Sequence, residues 1–272
     1  MRWVIGDIHG MLGPLRLLVK AIKAEDATAT LYFAGDYVNR GPDSRGVIDY
    51  LLTLDHARFL RGNHDDMFDL ILGGRALDPQ LAGNDRLFAL RWFCEFGVIE
   101  TLESYGIPPE RVALVAQENT IGSLTRMLAC IPAEHRKFLA DLEPVIDDPD
   151  LFVAHGKWPI EHSATNPGIA AMLASRASWA RTLLWGRFTG DELYEAKAWG
   201  KRGYFGHTQV ELYQEQDPPI MKPIFGEQLV LLDTGVALSE RGRLSAVCVE
   251  NHAVIQCDRD GVVFAYQGPS PK

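Results

Sequence analysis

Near the start of the chain lies the stretch Trp3-Val4-Ile5-Gly6-Asp7-Ile8-His9-Gly10. Its three apolar residues predict a buried strand, and the two glycines permit sharp bends of the backbone. If Ile8 stays extended, Asp7 and His9 point to the same side, because alternate residues of a strand share a face. A carboxylate and an imidazole placed in this way can chelate a divalent metal ion. The stretch predicts a strand that ends in a candidate metal site, with a plain polar loop as the alternative.

Two more units of the same kind follow. Residues 30–34 predict a second strand that leads to Asp36, and residues 58–60 predict a third strand that leads to Asn63. A helical pattern follows each of the three loops, and this alternation favours a sheet with crossover helices. Ligands of such sheets bind beyond the carboxyl ends of the strands. The three loops are therefore expected to converge on one site.

The second half of the chain repeats the pattern with single histidines. Residues 151–154 and 204–205 are apolar, and they lead to His155 and His207, each of which lies beside a glycine. The segment from about 74 to 148 has a helical composition, with helices expected over 87–102, 109–116 and 120–142, and we interpret it as a helical insertion. Further strands are predicted over 229–233, 244–250, 253–257 and 262–266.

Composition and charge limit the possible partners. The chain has 272 residues, of which 47% are hydrophobic, and a formal net charge of -9. This charge disfavours nucleic acid and anionic membranes. The chain contains neither an apolar run of 18 residues nor a basic and apolar leader segment. We therefore expect a soluble cytoplasmic protein without nucleic-acid or membrane partners. None of the four cysteines forms a Cys-x-x-Cys pair, which predicts buried free thiols at Cys94, Cys130, Cys248 and Cys257.

Six polar residues follow apolar strands and lie within two positions of a glycine: Asp7, His9, Asp36, Asn63, His155 and His207. Oxygen and nitrogen donors without a thiolate suit Mn, Fe or Zn. Six donors are too many for one ion that must also bind a substrate. They suit two ions roughly 3.5–4 Å apart that share a ligand, and Asp36 is the expected bridge. Two cations lower the pKa of a water held between them, so that hydroxide becomes available near neutral pH.

Two arginines and one histidine supply the substrate side of the predicted site. The guanidinium groups of Arg40 and Arg187 match phosphate oxygens, and they provide local positive charge in an acidic protein. His64 directly follows Asn63 and can act as the general acid that protonates the leaving oxygen. The loops contain no candidate cysteine or serine nucleophile, so no phosphoenzyme is expected.

Other polar residues receive a structural interpretation. Asp233 is interpreted as a cap or turn residue, with contact to the site as the alternative. The remaining histidines lack the strand and glycine context, and we interpret them as structural: His56, His135, His162 and His252.

The order of these motifs resembles one family. Gly6–Gly10, Gly35–Gly41, Gly62–Asp65, His155-Gly156 and Gly206–Thr208 resemble the PPP-type phosphoprotein phosphatases of the calcineurin-like metallophosphoesterase superfamily. The resemblance extends from about Arg2 to Val249. It implies an α/β (α+β) fold, with a β-sandwich flanked by helices and a dinuclear metal site at the sheet edge. It also implies a single catalytic domain over residues 1–268, with the helical insertion at about 74–148.

The resemblance also implies a role for each site residue. One metal ion is bound by Asp7, His9 and Asp36. The other is bound by Asp36, Asn63, His155 and His207. Arg40 and Arg187 grip the phosphate, and His64 is the acid.

One position departs from the family pattern. The second motif usually carries Asp where this chain has Asn39, and that Asp orients the catalytic histidine. Asn39 can still accept a hydrogen bond from His64, but it brings no charge to stabilise an imidazolium. We therefore expect a lower pKa of His64 than in relatives with Asp. The departure also weakens the choice of a protein phosphatase over the similar diadenosine tetraphosphatases.

The sequence thus predicts an enzyme that hydrolyses phosphate monoesters by in-line attack of a metal-bridging hydroxide. The expected substrate is phosphoserine or phosphothreonine in proteins, as in bacterial serine/threonine protein phosphatases, and a small phosphoester is the other expected partner. The expected cofactor is a pair of Mn²⁺ ions, with Fe or Zn as alternatives. An alternative function is hydrolysis of dinucleoside polyphosphates, with nucleoside pockets in segment 74–148. A non-catalytic metal-binding scaffold is the alternative of a different class, and the complete ligand set argues against it.

Overall fold

The structure is a computed structural model that describes residues 1–77, 85–174 and 179–269. In this part of the chain the strands are β1 (Arg2–Ile5), β2 (Thr30–Phe33), β3 (Ala57–Phe59), β4 (Ile146–Asp147), β5 (Leu151–Ala154), β6 (Arg202–Phe205), β7 (Ile224–Phe225), β8 (Leu229–Leu231), β9 (Arg243–Cys248), β10 (Ala253–Asp258) and β11 (Val263–Gln267). They form a six-stranded sheet in the order β11-β10-β9-β1-β2-β3 and a five-stranded sheet in the order β4-β5-β6-β8-β7.

The helices of the described residues are α1 (Leu12–Glu25), α2 (Ser44–Leu51), α3 (Asn63–Leu72), α4 (Arg86–Phe93), α5 (Val98–Ser104), α6 (Pro109–Glu118), α7 (Ile121–Met127), α8 (Ala133–Ala140), α9 (Asn166–Ala174) and α10 (Trp179–Trp185). Short 3-10 helices cover Cys94–Phe96, Leu128–Cys130, Asp191–Leu193 and Val210–Tyr213.

The first sheet confirms the three predicted strand, loop and helix units. β1, β2 and β3 are parallel, and α1 and α2 are the crossover helices between them. Ile5 lies opposite Phe33, and Phe33 lies opposite Phe59. Because the carboxyl ends of the three strands are level, the loops that follow them leave from one edge of the sheet.

The second sheet repeats this arrangement. β5, β6 and β8 are parallel, with Ala154 opposite Phe205 and Phe205 opposite Leu231. The chain therefore leaves all three strands at one edge, just before His155, His207 and Asp233. The buried side chains between the sheets come from both of them, which establishes the predicted sandwich.

Helices cover both outer faces of the sandwich. One core joins the outer face of the first sheet to α1, α2 and the helices between residues 86 and 140, and a second joins the outer face of the second sheet to α9 and α10. The resulting layers are helix, sheet, sheet and helix, as in the predicted fold class.

The helical segment is more interrupted than its composition predicts. The continuous helix expected over 87–102 is divided at Gly97, whose φ of 88° ends one helix and starts the next. The helix expected over 120–142 is divided at Ile131-Pro132, because proline cannot continue a helix. Residues 78–84 of the segment lie outside the described residues.

The cysteines only partly follow expectation. All four are free, but only Cys248 and Cys257 are buried, whereas Cys94 is half-buried and Cys130 is exposed. In the described part of the chain, the helices are all too short or too polar to cross a membrane.

Candidate metal centre

Backbone hydrogen bonds hold the first three loops together. The His9 amide donates to the Asp36 carbonyl oxygen over 2.8 Å, which joins the first loop to the second. The Asp65 carboxylate accepts the amides of Asp36 (2.7 Å), Tyr37 (2.9 Å) and Gly62 (2.9 Å), which joins the second loop to the third. Asp65 is fully buried, so its replacement would leave three buried donors unpaired.

The backbone at the site is strained. Among the described non-glycine residues with positive φ, five are predicted site residues: His9 (47°), Asp36 (56°), Asn39 (72°), Arg40 (68°) and His207 (63°). Left-handed backbone at such positions costs about 1–3 kcal/mol each and persists only where the surroundings enforce it. The strain is therefore concentrated at the convergence of the loops.

Asp36 lies at the centre of the potential metal donors. Its Oδ2 lies 3.4 Å from Nε2 of His9, and its Oδ1 lies 3.4 Å from Nε2 of His155. The potential donor atoms form two groups, and within each group all of them lie within 4.8 Å of one another. One group is His9, Asp36 and His64, and the other is Asp7, Asp36 and His155. Asp36 belongs to both groups, as a bridging ligand must.

Asn63 joins the histidines of the second sheet to this cluster. Its Oδ1 lies 2.9 Å from Nε2 of His155 and 2.9 Å from Nδ1 of His207. The His207 amide donates to Oδ2 of Asp7 over 2.9 Å, which links the loop after β6 to the loop after β1. The structure thus brings all six predicted metal ligands together.

The orientation of the donors fits a metal ion. Nδ1 of His9 donates to the Val38 carbonyl oxygen over 2.9 Å, and Nδ1 of His155 donates to the Ala34 carbonyl oxygen over 2.7 Å. These bonds direct each Nε2 into the cluster, which is how proteins commonly orient histidine ligands. Oδ1 of Asp7 is buried and has no hydrogen-bond partner among the described residues. The residues present therefore fit divalent cations.

Burial and charge set the protonation of the cluster. Burial raises the pKa of Asp7 well above its usual value, and the nearby Asp233 raises it further. Burial lowers the pKa of His9 to about 3, and the positive charge of Arg40 acts in the same direction. Burial also opposes the charged forms of Asp36 and His155, but their attraction prevails, so that the pKa of Asp36 lies well below its usual value and that of His155 rises to about 10. A cation in this cluster would offset the buried carboxylates.

His64 and Asn39 are in contact, with the hydrogen bond opposite to expectation. Nδ2 of Asn39 lies 2.9 Å from Nδ1 of His64, and an amide nitrogen can only donate. The expectation that Asn39 accepts from His64 is wrong, because the Thr101 hydroxyl donates to Oδ1 of Asn39 over 3.0 Å. Neutral His64 therefore carries its proton on Nε2. Burial lowers the pKa of His64 well below its usual value.

The two predicted arginines differ in their contacts. Nη1 of Arg40 lies 2.6 Å from Nε2 of His9, so the Arg40 guanidinium is inside the cluster. Arg187 is exposed and lies beside a cavity of about 400 Å³, close enough to lower the pKa of His207 after the larger effects of burial and His155. Arg40 thus contacts a predicted metal ligand, and Arg187 lines the neighbouring cavity.

Three residues of the site region are absent from the sequence prediction of its ligands and catalytic groups. Asp65 stands in the Gly-Asn-His-Asp motif itself, and its position after two candidate site residues is the signal that could have identified it. Asp233 follows an apolar strand and lies within two positions of a glycine, as the predicted ligands do, and contact with the site is the alternative interpretation given above. Thr101 has no sequence signal, because only the packing of α5 brings it to Asn39.

These features define a class: proteins with a candidate divalent-metal centre at the adjoining edges of two sheets. The family model for calcineurin-like phosphoesterases matches residues 2–184, which is more than half of the chain. The chain belongs to that family. It is thereby a member of a family of phosphoesterases.

Shorter matches join the chain to proteins named symmetrical bis(5'-nucleosyl)-tetraphosphatase. It is 46% identical to the protein from Edwardsiella ictaluri over 63 residues, which are 23% of each chain. It is 32% identical to the protein from Coxiella burnetii over 124 residues, 40% of this chain and 42% of the relative. The chain thus spans less than half the length of these relatives. A solved protein serine/threonine phosphatase from Saccharomyces cerevisiae shares the fold with a TM-score of 0.51 and 15% identity, over 100% of this chain and 81% of that one.

Proposed function

We propose that this metallophosphoesterase hydrolyses dinucleoside polyphosphates, with diadenosine tetraphosphate as the representative substrate. The observation that carries the proposal is an aromatic surface beside the metal centre. The names of the relatives support it over the matched segments. The proposal reverses the order of preference that the motifs alone suggest, which places a phosphoprotein first.

We call this surface the aromatic cluster; its members are Phe88, Trp92, Phe93, Phe96 and Trp185. The rings of Trp92 and Trp185 are stacked, with centroids 5.8 Å apart and planes 16° apart. Phe88 is 46% exposed and Phe96 is 38% exposed. Exposed aromatic rings of this kind bind nucleobases by stacking, with about 1–3 kcal/mol per base.

The aromatic cluster adjoins the metal ligands directly. The Phe93 ring lies 5.2 Å from the ring of His64, and the Trp185 ring lies 6.2 Å from the ring of His207. A base stacked on the exposed rings would therefore lie close enough to the metal centre for its phosphate chain to reach the centre. Phosphoserine and phosphothreonine contain no ring that would use this surface.

The cavity beside Arg187 provides a second surface, next to the segment of chain that carries Trp185. Its volume is about 400 Å³, and its lining includes Arg187, Phe188, Thr208 and Tyr213. This volume is within the usual range of small-molecule sites. A substrate with two nucleosides needs two such surfaces beside one phosphate-binding centre.

The chain's own groups divide the work as follows. When bound, two divalent cations supply Lewis-acid activation and an activated water. We assign Asp7, His9 and Asp36 to one cation, and Asp36, Asn63, His155 and His207 to the other. Arg40 and Arg187 bind the phosphate oxygens, because guanidinium groups match them in geometry and charge. Protonated His64 donates its Nε2 proton to the leaving oxygen and becomes the neutral ring.

The test compares two substrates on one preparation. The metal-depleted chain is reloaded with Mn²⁺, and kcat/KM is measured for diadenosine tetraphosphate and for a phosphothreonine peptide. We expect the dinucleotide to be preferred, with ADP as the sole nucleotide product because the cleavage is symmetrical. A preference for the peptide would overturn the proposal in favour of a serine/threonine protein phosphatase. Turnover of neither substrate, with two metal ions bound, would also overturn it.

A further inference from the structure

Asp233 is a buried carboxylate, and its role in a turn explains only one of its two oxygens. It lies two residues beyond β8 and is 2% exposed. Its Oδ1 accepts the amide of Gly235 over 3.0 Å, which is the turn bond that the sequence predicts. Its Oδ2 is also buried but has no hydrogen-bond partner among the described residues. An unpaired buried carboxylate oxygen is costly, so a turn alone does not account for this residue.

The segment that carries Asp233 lies against the segment that carries Asp7. A Cβ added to Gly6 would lie 2.5 Å from the carbonyl oxygen of Leu232, so the two backbones are in contact where the sheets meet. Oδ1 of Asp7 is the other buried carboxylate oxygen without a partner in the described part of the chain. Two neighbouring segments thus each present one unpaired carboxylate oxygen.

Asp233 is also electrostatically part of the metal centre. After burial and the Gly235 bond, the groups that influence the Asp233 carboxyl are Arg40, Asp36 and His155. Asp233 is in turn the charged neighbour with the largest influence on Asp7. These groups all belong to the cluster around Asp36. Without a cation, the carboxylates of Asp7, Asp36 and Asp233 repel one another in a buried site.

We propose that Asp233 is an additional acidic residue of the metal centre, which strengthens binding of the divalent cation assigned to Asp7, His9 and Asp36. A cation that neutralises both carboxylates would explain why Asp233 and Asp7 each have a buried oxygen without a hydrogen-bond partner. The proposal rests on the metal sites of the proposed function, but not on the substrate assigned there.

The test removes the charge and keeps the turn. In Asp233→Asn the amide oxygen still accepts from Gly235, while the negative charge is lost. Metal-depleted protein is titrated with Mn²⁺ by calorimetry, and bound metal is counted by elemental analysis. We expect the Kd of one of the two sites to rise by about 10- to 100-fold, as for other residues that support metal ligands. The other site should change less.

The matched control is Asp258→Asn. Asp258 also accepts backbone amides in a turn, from Asp260 (3.1 Å) and Val262 (2.8 Å), but it lies in the β10–β11 hairpin. Its replacement should leave both Mn²⁺ affinities at the wild-type values. Equal affinities in the wild type and Asp233→Asn would overturn the proposal.

A second measurement, on the wild-type protein, tests the proposal even if Asp233→Asn fails to fold. Anomalous scattering from crystals grown with Mn²⁺ locates the ions relative to Asp233. Contact of Oδ2 with an ion, directly or through one water, supports the proposal, whereas an ion pair between Oδ2 and Arg40 overturns it. Failure of the wild type to bind Mn²⁺ overturns the metal centre as well. Failure to hydrolyse the dinucleotide, with normal Mn²⁺ affinities, overturns only the substrate.

Discussion

The two sheets contribute to the metal centre in different ways. The first sheet supplies predicted ligands from three consecutive loops within residues 7–64, and the second supplies single predicted ligands from loops as far apart as His155 and His207. In both sheets the relevant strands are parallel and end level with one another. The same geometry can therefore be encoded by a dense motif or by isolated residues, and only the dense motif is evident from a short stretch of sequence.

The two contributions also differ in how they are held. The loops of the first sheet are joined by backbone hydrogen bonds and by the buried Asp65 carboxylate. The second contribution is oriented by the first, since His155 donates to the Ala34 carbonyl and the His207 amide donates to Asp7. Changes in the first sheet should therefore disturb both halves, whereas changes in the second should disturb one.

The largest effect is expected for Asp36→Asn, which breaks the connection between the halves. The variant loses the carboxylate that lies 3.4 Å from both His9 and His155. We expect both metal ions and nearly all activity to be lost, as measured by elemental analysis and turnover. His207→Asn is the comparison, and it should lose one ion and keep the other. Wild-type stoichiometry in Asp36→Asn would refute the bridging assignment.

The next effect is expected for His64→Asn, which changes the first half without removing an assigned metal ligand. The rate should fall by about 10²–10⁴-fold, because a positioned general acid contributes that much. Metal content should remain at two ions. The exposed His162 provides the control, and His162→Asn should leave the rate unchanged. Full activity of His64→Asn would remove His64 from the acid role.

A smaller and substrate-dependent effect is expected for Trp92→Leu. Trp92 stacks on Trp185 in the aromatic cluster but is not an assigned ligand. KM for diadenosine tetraphosphate should rise by about 5- to 100-fold, which corresponds to the loss of one base-stacking contact. Turnover of glycerol 2-phosphate, which contains no ring, should stay within about twofold of the wild type. Tyr266→Leu, three strands from β1, is the control. An equal loss on both substrates would show that Trp92 supports the centre rather than the base.

The comparison of the sheets also explains what the sequence could reveal. Asp7 and His9 were evident because a strand places alternate residues on one face. Asp36 and Asn63 followed because parallel strands end at one edge. His155 and His207 were candidates only through the same local pattern, and a lone histidine after a strand is common in any fold. Their place beside Asn63 depends on the packing of two sheets, which no local spacing encodes.

Other features lay beyond the sequence for specific physical reasons. The direction of the Asn39–His64 bond depends on Thr101, which is 62 positions away from Asn39. The proximity of the Asp233 segment to the Asp7 segment depends on the contact between Gly6 and Leu232, which lie in different sheets. The aromatic cluster joins α4 to Trp185, across residues that are distant in the chain.

The smallest effect is expected for Asn39→Asp, which tests the direction of one hydrogen bond. Burial holds the pKa of His64 well below its usual value and outweighs the attraction of Asp36, and the positive charge of Arg40 acts in the same direction as burial. A carboxylate at position 39 would face Nδ1 of His64, favour its protonated form and raise this pKa. Protonated His64 is the acid, so activity that depends on it is lost as pH rises through its pKa.

The limb of the pH–rate profile that belongs to the acid should therefore move to higher pH in Asn39→Asp, with little change in the maximal rate. Asn251→Asp adds the same charge in the exposed turn between β9 and β10 and should leave the profile in place. An unmoved profile in Asn39→Asp would remove Asn39 from the control of His64.

Thr101→Val separates the two orientations of the Asn39 amide, because it deletes the hydroxyl that donates to Oδ1. If that donor fixes the amide, Thr101→Val should also shift the limb upward, since Oδ1 is then able to accept from His64.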